Sequence, residues 1–181
     1  MLPMPESNPA ALQTDPFLLP VAPTDRAWIV EELNRNWGTT QISSLGIWHD
    51  ADRLPGFVAW KGSERVGLAT HTPPIPRQEC EVITLSSRVE GIGLGAMLLG
   101  ACVDAAKRAG CRRILLTTTN DNLRAIGFYQ KRGWSMVAVH RGAMDRARAV
   151  KPSIPLVGMN GIPLRDEIEF ELLFADLPLI P

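Results

Sequence analysis

The chain has one tyrosine, Tyr129, and one run of alternate glycines, Glu90-Gly91-Ile92-Gly93-Leu94-Gly95-Ala96. These are the residues whose types and spacing most invite chemistry. Glycines at the start of a helix leave amide N–H groups bare, the helix dipole adds positive potential, and the missing side chains let an anion approach the backbone. Such a turn is a natural seat for a phosphate or pyrophosphate. The competing reading is a tight packing turn that binds nothing. Gly91-x-Gly93-x-x-Ala96 also satisfies the dinucleotide fingerprint, and the next strand-like run ends near Asn120-Asp121, close to where an acidic ribose ligand is wanted. That fold begins with this unit and needs several more strand–helix repeats, whereas here the loop starts only at residue 90 of 181. A P-loop is excluded because no Gly-Lys-Ser/Thr follows.

The elements that must position these residues are legible in the flanks. Glu81-Val82-Ile83-Thr84-Leu85-Ser86 reads as a strand entering the loop. Leu94, Met97, Leu98, Ala101, Cys102, Ala105, Ala106 and Ala109 recur at helical spacing, Asp104, Lys107 and Arg108 fall opposite, and Gly110 stands at the C′ stop. Arg113-Ile114-Leu115-Leu116-Thr117-Thr118-Thr119 reads as a central strand. Asn120-Asp121-Asn122 then offers N-caps for a short helix carrying Ala125, Ile126, Phe128 and Tyr129 and stopped at Gly133.

The spacing Asn122-x-x-Ala125-x-x-x-Tyr129-x-x-x-Gly133-Trp134 resembles the second signature of the GNAT superfamily of N-acetyltransferases. The glycine loop resembles their first, Arg/Gln-Gly-x-Gly-x-Gly/Ala, which binds the pyrophosphate of acetyl-CoA. Both stand in family order, separated by one helix and one strand, and the resemblance is clear over 57–140 and looser from residue 17. It implies an α/β (α+β) fold with a central mixed, mostly antiparallel sheet of six to seven strands flanked by helices. It further implies acetyl transfer from acetyl-CoA to a primary amine, by direct attack in a ternary complex. The pyrophosphate would rest on the amides of Gly91, Ile92, Gly93, Leu94, Gly95 and Ala96, with Asn122 and Tyr129 beside the coenzyme. The pantetheine would pair with the strand end at Leu85 and Ser86, where neighbouring strands splay, and an N–H near Leu85 would polarise the thioester. Tyr129 falls where the family's thiolate-protonating tyrosine stands. Glu81 matches a base position, with Glu79, His71 or a water as alternatives. Glu90 departs from the signature. Its carboxylate must point away from a pyrophosphate or be offset by Arg88 or Arg124, and the departure leaves a non-catalytic acyl-CoA sensor or interaction module as the second reading.

Composition agrees with one domain holding a real core: 45% hydrophobic and 21% charged residues, with nineteen basic and nineteen acidic side chains cancelling. That balance gives no bulk field for nucleic acid or an anionic membrane. Cys80, Cys102 and Cys111 lack CxxC spacing and read as core thiols of a reducing, cytoplasmic compartment. His49, His71 and His140 are scattered and suggest no metal. The acceptor is expected to be a small-molecule or peptide amine, and a homodimer is an option the resemblance carries.

The remaining segments supply the frame. Residues 1–16 read as a loosely tethered tail, and 17–181 as the acetyltransferase domain. Phe17-Leu18-Leu19-Pro20-Val21 reads as an edge strand, and Thr24-Asp25 as the cap of a helix that turns Trp28, Ile29, Leu33 and Trp37 inward. Trp37 reads as a core residue first and an acceptor-pocket residue second. Ser43 to Trp48 fits a strand or an ordered loop. Residues 57–60 and 65–70 form a hairpin. The stretch 141–165 reads as a long irregular loop. A closing strand alternates Ile168, Phe170, Leu172 and Phe174 with glutamates expected to face solvent.

Overall fold

The computed structural model describes residues 15–73 and 79–174. The elements run β1 (Phe17–Pro20), α1 (Arg26–Trp37), β2 (Gln41–Ser44), β3 (Ile47–Asp50), β4 (Gly56–Lys61), β5 (Glu64–His71), β6 (Glu79–Ser87), α2 (Leu94–Arg108), β7 (Arg113–Thr119), α3 (Leu123–Gln130), β8 (Ser135–His140), α4 (Ala143–Val150) and β9 (Glu167–Leu173). Seven strands make one sheet in the order β1-β4-β5-β6-β7-β9-β8, and β2 and β3 form a separate hairpin. Every pairing is antiparallel except β6 with β7. The expected mixed, mostly antiparallel sheet with flanking helices is therefore the fold. The expected tail at 1–16 lies almost wholly outside the described residues.

The periodicity of α2 explains its place. Leu94, Leu98, Leu99, Cys102 and Ala106 are buried against Val82, Ile114, Leu116 and Phe170 of the sheet. Full burial of a leucine contributes about 1.5–3 kcal/mol, so three of them outweigh the cost of Gly95 and Gly100 within the helix, about 1 kcal/mol each. On the opposite face Ile29 and Leu33 of α1 pack on Val58 and Leu68. Cys80, Cys102 and Cys111 are buried free thiols.

Two irregularities in β6 shape the middle of the sheet. Thr70 of β5 pairs with Thr84, but the next residue, His71, pairs with Val82, so Ile83 is an extra residue, a β-bulge. As a result Glu81 reaches Ser44 of β2 while Ser86 reaches Glu32 of α1, both on the helix α1 face. The parallel ladder to β7 joins Glu79 to Arg113 and runs only as far as Val82 opposite Leu116. Beyond that point the two strands part.

Four expectations need correction. The stretch 141–165 is not all loop. It contains α4, whose buried face is made of Ala143, Met144 and Ala147, residues too small to give a strong apolar signal. Asp25 does not cap α1 with its side chain. Its carboxylate accepts the Ala22 N–H and pairs with Arg65, and the chain enters α1 through a 3₁₀ turn at Pro23–Asp25. Ser43 to Trp48 is a hairpin turning at Leu45 and Gly46, both at positive φ. Finally, the β9 glutamates do not form a solvated face. Glu167 is buried beneath the β2–β3 turn, Glu169 binds His140 at 2.8 Å and Glu171 binds Arg113 at 2.9 Å.

Candidate active site

Where β6 and β7 part, the structure holds a cavity of about 280 Å³. Its floor is the diverging strands, Val82 to Leu85 on one side and Leu116 to Thr119 on the other. The β2–β3 hairpin and α4 supply the opposite walls through Ser44, Trp48, Met144 and Ala147. A second cavity of about 610 Å³ runs along the glycine loop between Ser86, Gly91 to Ala96 and the α3 residues Arg124 and Phe128. Trp37 and Leu85 line both. The two therefore make one cleft that bends at the end of β6.

The loop has the geometry that suits an anion. Gly91 and Gly93 sit at φ 81° and 77°, in the left-handed region that only glycine enters freely. Gly93 is the N-cap of α2 and brings no side-chain cap, so the first amides of the helix have no partner of that kind. Ala96 differs from the expectation, since its N–H already donates to the Gly93 carbonyl at 2.9 Å. It forms wall, and the amides before it remain for a ligand. Gly95 is less constrained: an added Cβ would meet Phe128 Cζ at an ordinary 3.6 Å. Glu90 pairs with Arg124 at 2.6 Å, on the surface, while Arg88 turns to Glu32. Glu32 is a buried acid that also accepts from the Ser86 hydroxyl and fastens α1 to the end of β6. Asn36 and Arg35 on the same helix also meet its carboxylate, but the two partners that tie it to β6 and the loop beyond lie more than fifty residues away.

The other end of the cleft carries titratable and hydroxyl groups. Tyr129 lies in the cavity wall, buried among Phe128, Trp134 and Phe170, and desolvation pushes its phenol up to about 12. It stays protonated at neutral pH and is available as a donor. Asn122 caps α3, accepting the Ala125 N–H at 3.1 Å, and also lines this cavity. Glu81 stands behind the wall. Its carboxylate accepts a hydrogen bond from Ser44 Oγ, and Ser44 Oγ lies 2.7 Å from Thr117 Oγ1. With Ser44 donating to the carboxylate, Thr117 donates to Ser44. Burial raises Glu81 to about 7, opposed by the Ser44 hydrogen bond and reinforced by the nearby Glu167, Glu169 and Glu79.

The remaining base candidates do not reach the cavity. Glu79 is held by Arg113 at 2.6 Å, and the His71 ring bonds the Thr72 carbonyl and Cys80. Ser44, Thr117 and Glu167 belong to the site without having been singled out in the sequence. Glu167 is 3% exposed, lines the cavity and is raised above the ordinary carboxylate range by burial. Trp37, expected first as core, stands at the bend of the cleft. No group of three or more His, Cys, Asp or Glu suited to a metal occurs among the described residues. No helix among them is long and apolar enough to cross a membrane.

The sequence and the fold both have known relatives. The model of the acetyltransferase (GNAT) family matches residues 24–134, and the chain belongs to that family. The uncharacterized protein YdhI of Bacillus subtilis (strain 168) is 47% identical over 138 residues, 75% of this chain and 84% of that one. The IAA acetyltransferase of Bacillus cereus ATCC 14579 superposes with a TM-score of 0.65 at 19% identity, covering 88% of this chain and 99% of that one. The yncA protein of Salmonella typhimurium, solved with its cofactor acetyl-CoA, gives 0.65 at 18% identity over 93% and 98%.

Proposed function

We propose that this protein is an acetyl-CoA-dependent N-acetyltransferase acting on a primary amine by direct attack in a ternary complex. The observation that carries the reading is the single bent cleft, with an anion seat at one arm and a buried acid and phenol at the other. The free glycine-loop amides suit the pyrophosphate. The unpaired β7-facing edge of β6 beyond Val82 suits the amide groups of pantetheine, and an N–H near Leu85 suits the thioester oxygen. The thioester carbon would then lie near the bend at Leu85.

On this reading Ser44 relays a proton from the incoming ammonium to Glu81, and the freed nitrogen forms its bond to the acetyl carbon. As the carbon–sulfur bond breaks, Tyr129 protonates the departing sulfur, and its phenolate recovers a proton from the acylated nitrogen, leaving the neutral amide. Both substrates held side by side supply much of the acceleration. Arg124 neutralises Glu90, which removes the main objection to coenzyme binding raised by that residue. The buried free thiols accord with a reducing, cytoplasmic setting.

The test is calorimetry with acetyl-CoA and NAD, followed by thiol release from acetyl-CoA over a panel of amines. Acetyl-CoA should bind, NAD should not, and at least one amine should be turned over. Tyr129→Phe keeps the ring and should lower turnover by ~10²–10⁴ with little change in coenzyme affinity. Acetyl-CoA binding with no acetylation across the panel would replace the enzyme with an acyl-CoA sensor.

A further inference from the structure

The walls of the smaller cavity carry charge very unevenly. Among its lining residues Glu167 is the one acid and Lys151 the one base. Glu167 Oε2 accepts the Leu45 N–H at 3.2 Å, and Oε1, which has no hydrogen-bond partner among the described residues, is not sealed off in the wall of the cavity that Glu167 lines. A carboxylate oxygen at the wall of so confined a cavity is stabilised when something cationic or donating meets it. Glu81 lies behind it at one remove through Ser44, adding negative potential at the same end. Lys151 is already engaged, its ammonium donating to the Trp37 carbonyl at 3.2 Å.

The rest of the wall mixes uncharged polar residues, such as Thr39, Gln41, Ser43, Thr84 and Thr118, with apolar and aromatic ones. Trp37 and Trp48 present indole rings, and Ile42, Met144 and Ile154 add aliphatic surface. The volume of about 280 Å³ sits at the lower edge of the ~300–1,000 Å³ usual for small-molecule sites. A cavity of that size roofed by α4 and the β2–β3 hairpin suits a small molecule better than a protein tail.

We infer that the acceptor is a small arylalkylamine: a primary ammonium group on Glu167, an aromatic body among Trp37, Trp48 and Ile42, and no carboxylate on the carbon that bears nitrogen. The inference rests on the N-acetyltransferase reading and names its substrate class. An α-carboxylate would stand within two bonds of the nitrogen and face Glu167 and Glu81, where like charges repel at low dielectric. A polyamine or aminoglycoside would bring a second cation to a wall whose remaining charge is Lys151. The indole faces, by contrast, favour both an aromatic ring and the ammonium beside it.

The experiment compares kcat/KM at fixed acetyl-CoA for phenylethylamine and tryptamine, for phenylalanine and tryptophan, for spermidine, and for a tripeptide amide with a free N-terminus. The arylalkylamines should exceed their matching amino acids and the other acceptors by roughly tenfold or more, one power of ten corresponding to a modest charge penalty. Glu167→Gln should raise the KM for phenylethylamine by roughly 10- to 100-fold. Inhibition by phenylethanol, which has the same body and no charge, should hardly change in that variant, and neither should coenzyme affinity. Preference for an amino acid, spermidine or the tripeptide would overturn the inference while leaving N-acetyl transfer intact. Equal losses for the amine and the alcohol would remove Glu167 from charge recognition. Absence of turnover with every amine would overturn both readings. Should Glu167→Gln not fold, the wild-type panel alone decides.

Discussion

In the mechanism we propose, Glu81 is asked to do two incompatible things, and its surroundings bear on both. A base must be ionised, yet burial favours the neutral form and lifts the group from 4.5 to about 7. The folded state therefore holds the proton more tightly than the unfolded chain. Stability from this group is present in full below about 4.5 and is lost as pH rises through 7. The shift corresponds to a cost on the order of 3 kcal/mol once the carboxylate is ionised. Catalysis runs the other way, with kcat/KM rising through the same window. Glu81→Gln is accordingly expected to raise the melting temperature at pH 8, to make little difference near pH 4, and to remove the rising limb of the pH–rate profile. A variant equally stable at both values would detach the burial of Glu81 from its chemistry. Glu90 is a simpler case. Its exposed pair with Arg124 is screened, so Glu90→Gln should tighten coenzyme binding by no more than ~1 kcal/mol at low salt.

The turn from β6 into α2 is where local sequence and ligand chemistry coincide. Gly91 and Gly93 need the left-handed region, where an L side chain costs ~1–2 kcal/mol, although an added Cβ at either would meet no protein atom. Gly95 is already helical and has room for a methyl against Phe128. Gly93→Val should therefore weaken acetyl-CoA binding by more than about tenfold, while Gly95→Ala should stay within about threefold. Titration calorimetry on both variants reads the difference, and equal affinities would reduce the loop to a packing turn.

The same physics explains what could be read in advance. α2, β7 and α3 carry their periodicity and stops within a few residues, so their order and the glycine turn that opens α2 were legible. The β2–β3 turn was not, because Leu45 at φ 51° occupies a position where Asn or Asp before glycine would have been the signal. α4 hid behind alanines. The alternation on β9 looks the same whether its glutamates meet water or a hairpin from residues far earlier in the chain. The Glu81–Ser44–Thr117 chain joins residues 37 and 73 positions apart, a juxtaposition that only the closed sheet creates.

The molecule as a whole is a sheet with a gap and a roof over it, and the two are secured differently. The gap follows from strand register and needs no further support. The roof is the long segment from α4 to β9, which has little buried apolar surface of its own beyond Ala143, Met144, Ala147, Ile154 and Leu164. Polar ties replace it. Arg148 donates to the carbonyls of Ile154, Pro155 and Leu164 and pairs with Asp145. Asp121 accepts the Met159 N–H at 2.7 Å, and a Cβ on Gly158 would fall 2.0 Å from its carboxylate. Lys151 joins the end of α4 to the end of α1. Because Arg148 is largely buried and serves three carbonyls at once, Arg148→Ala is expected to cost about 2–4 kcal/mol, the range for losing charge-assisted bonds and leaving their partners unmet. Hydrogen exchange should rise over 151–164 and hardly change in α2. Since this roof walls the smaller cavity and not the glycine loop, the KM for the acceptor should increase while coenzyme affinity holds. A parallel loss of both would mean that the two arms of the cleft open together and that the roof closes over coenzyme as well as amine.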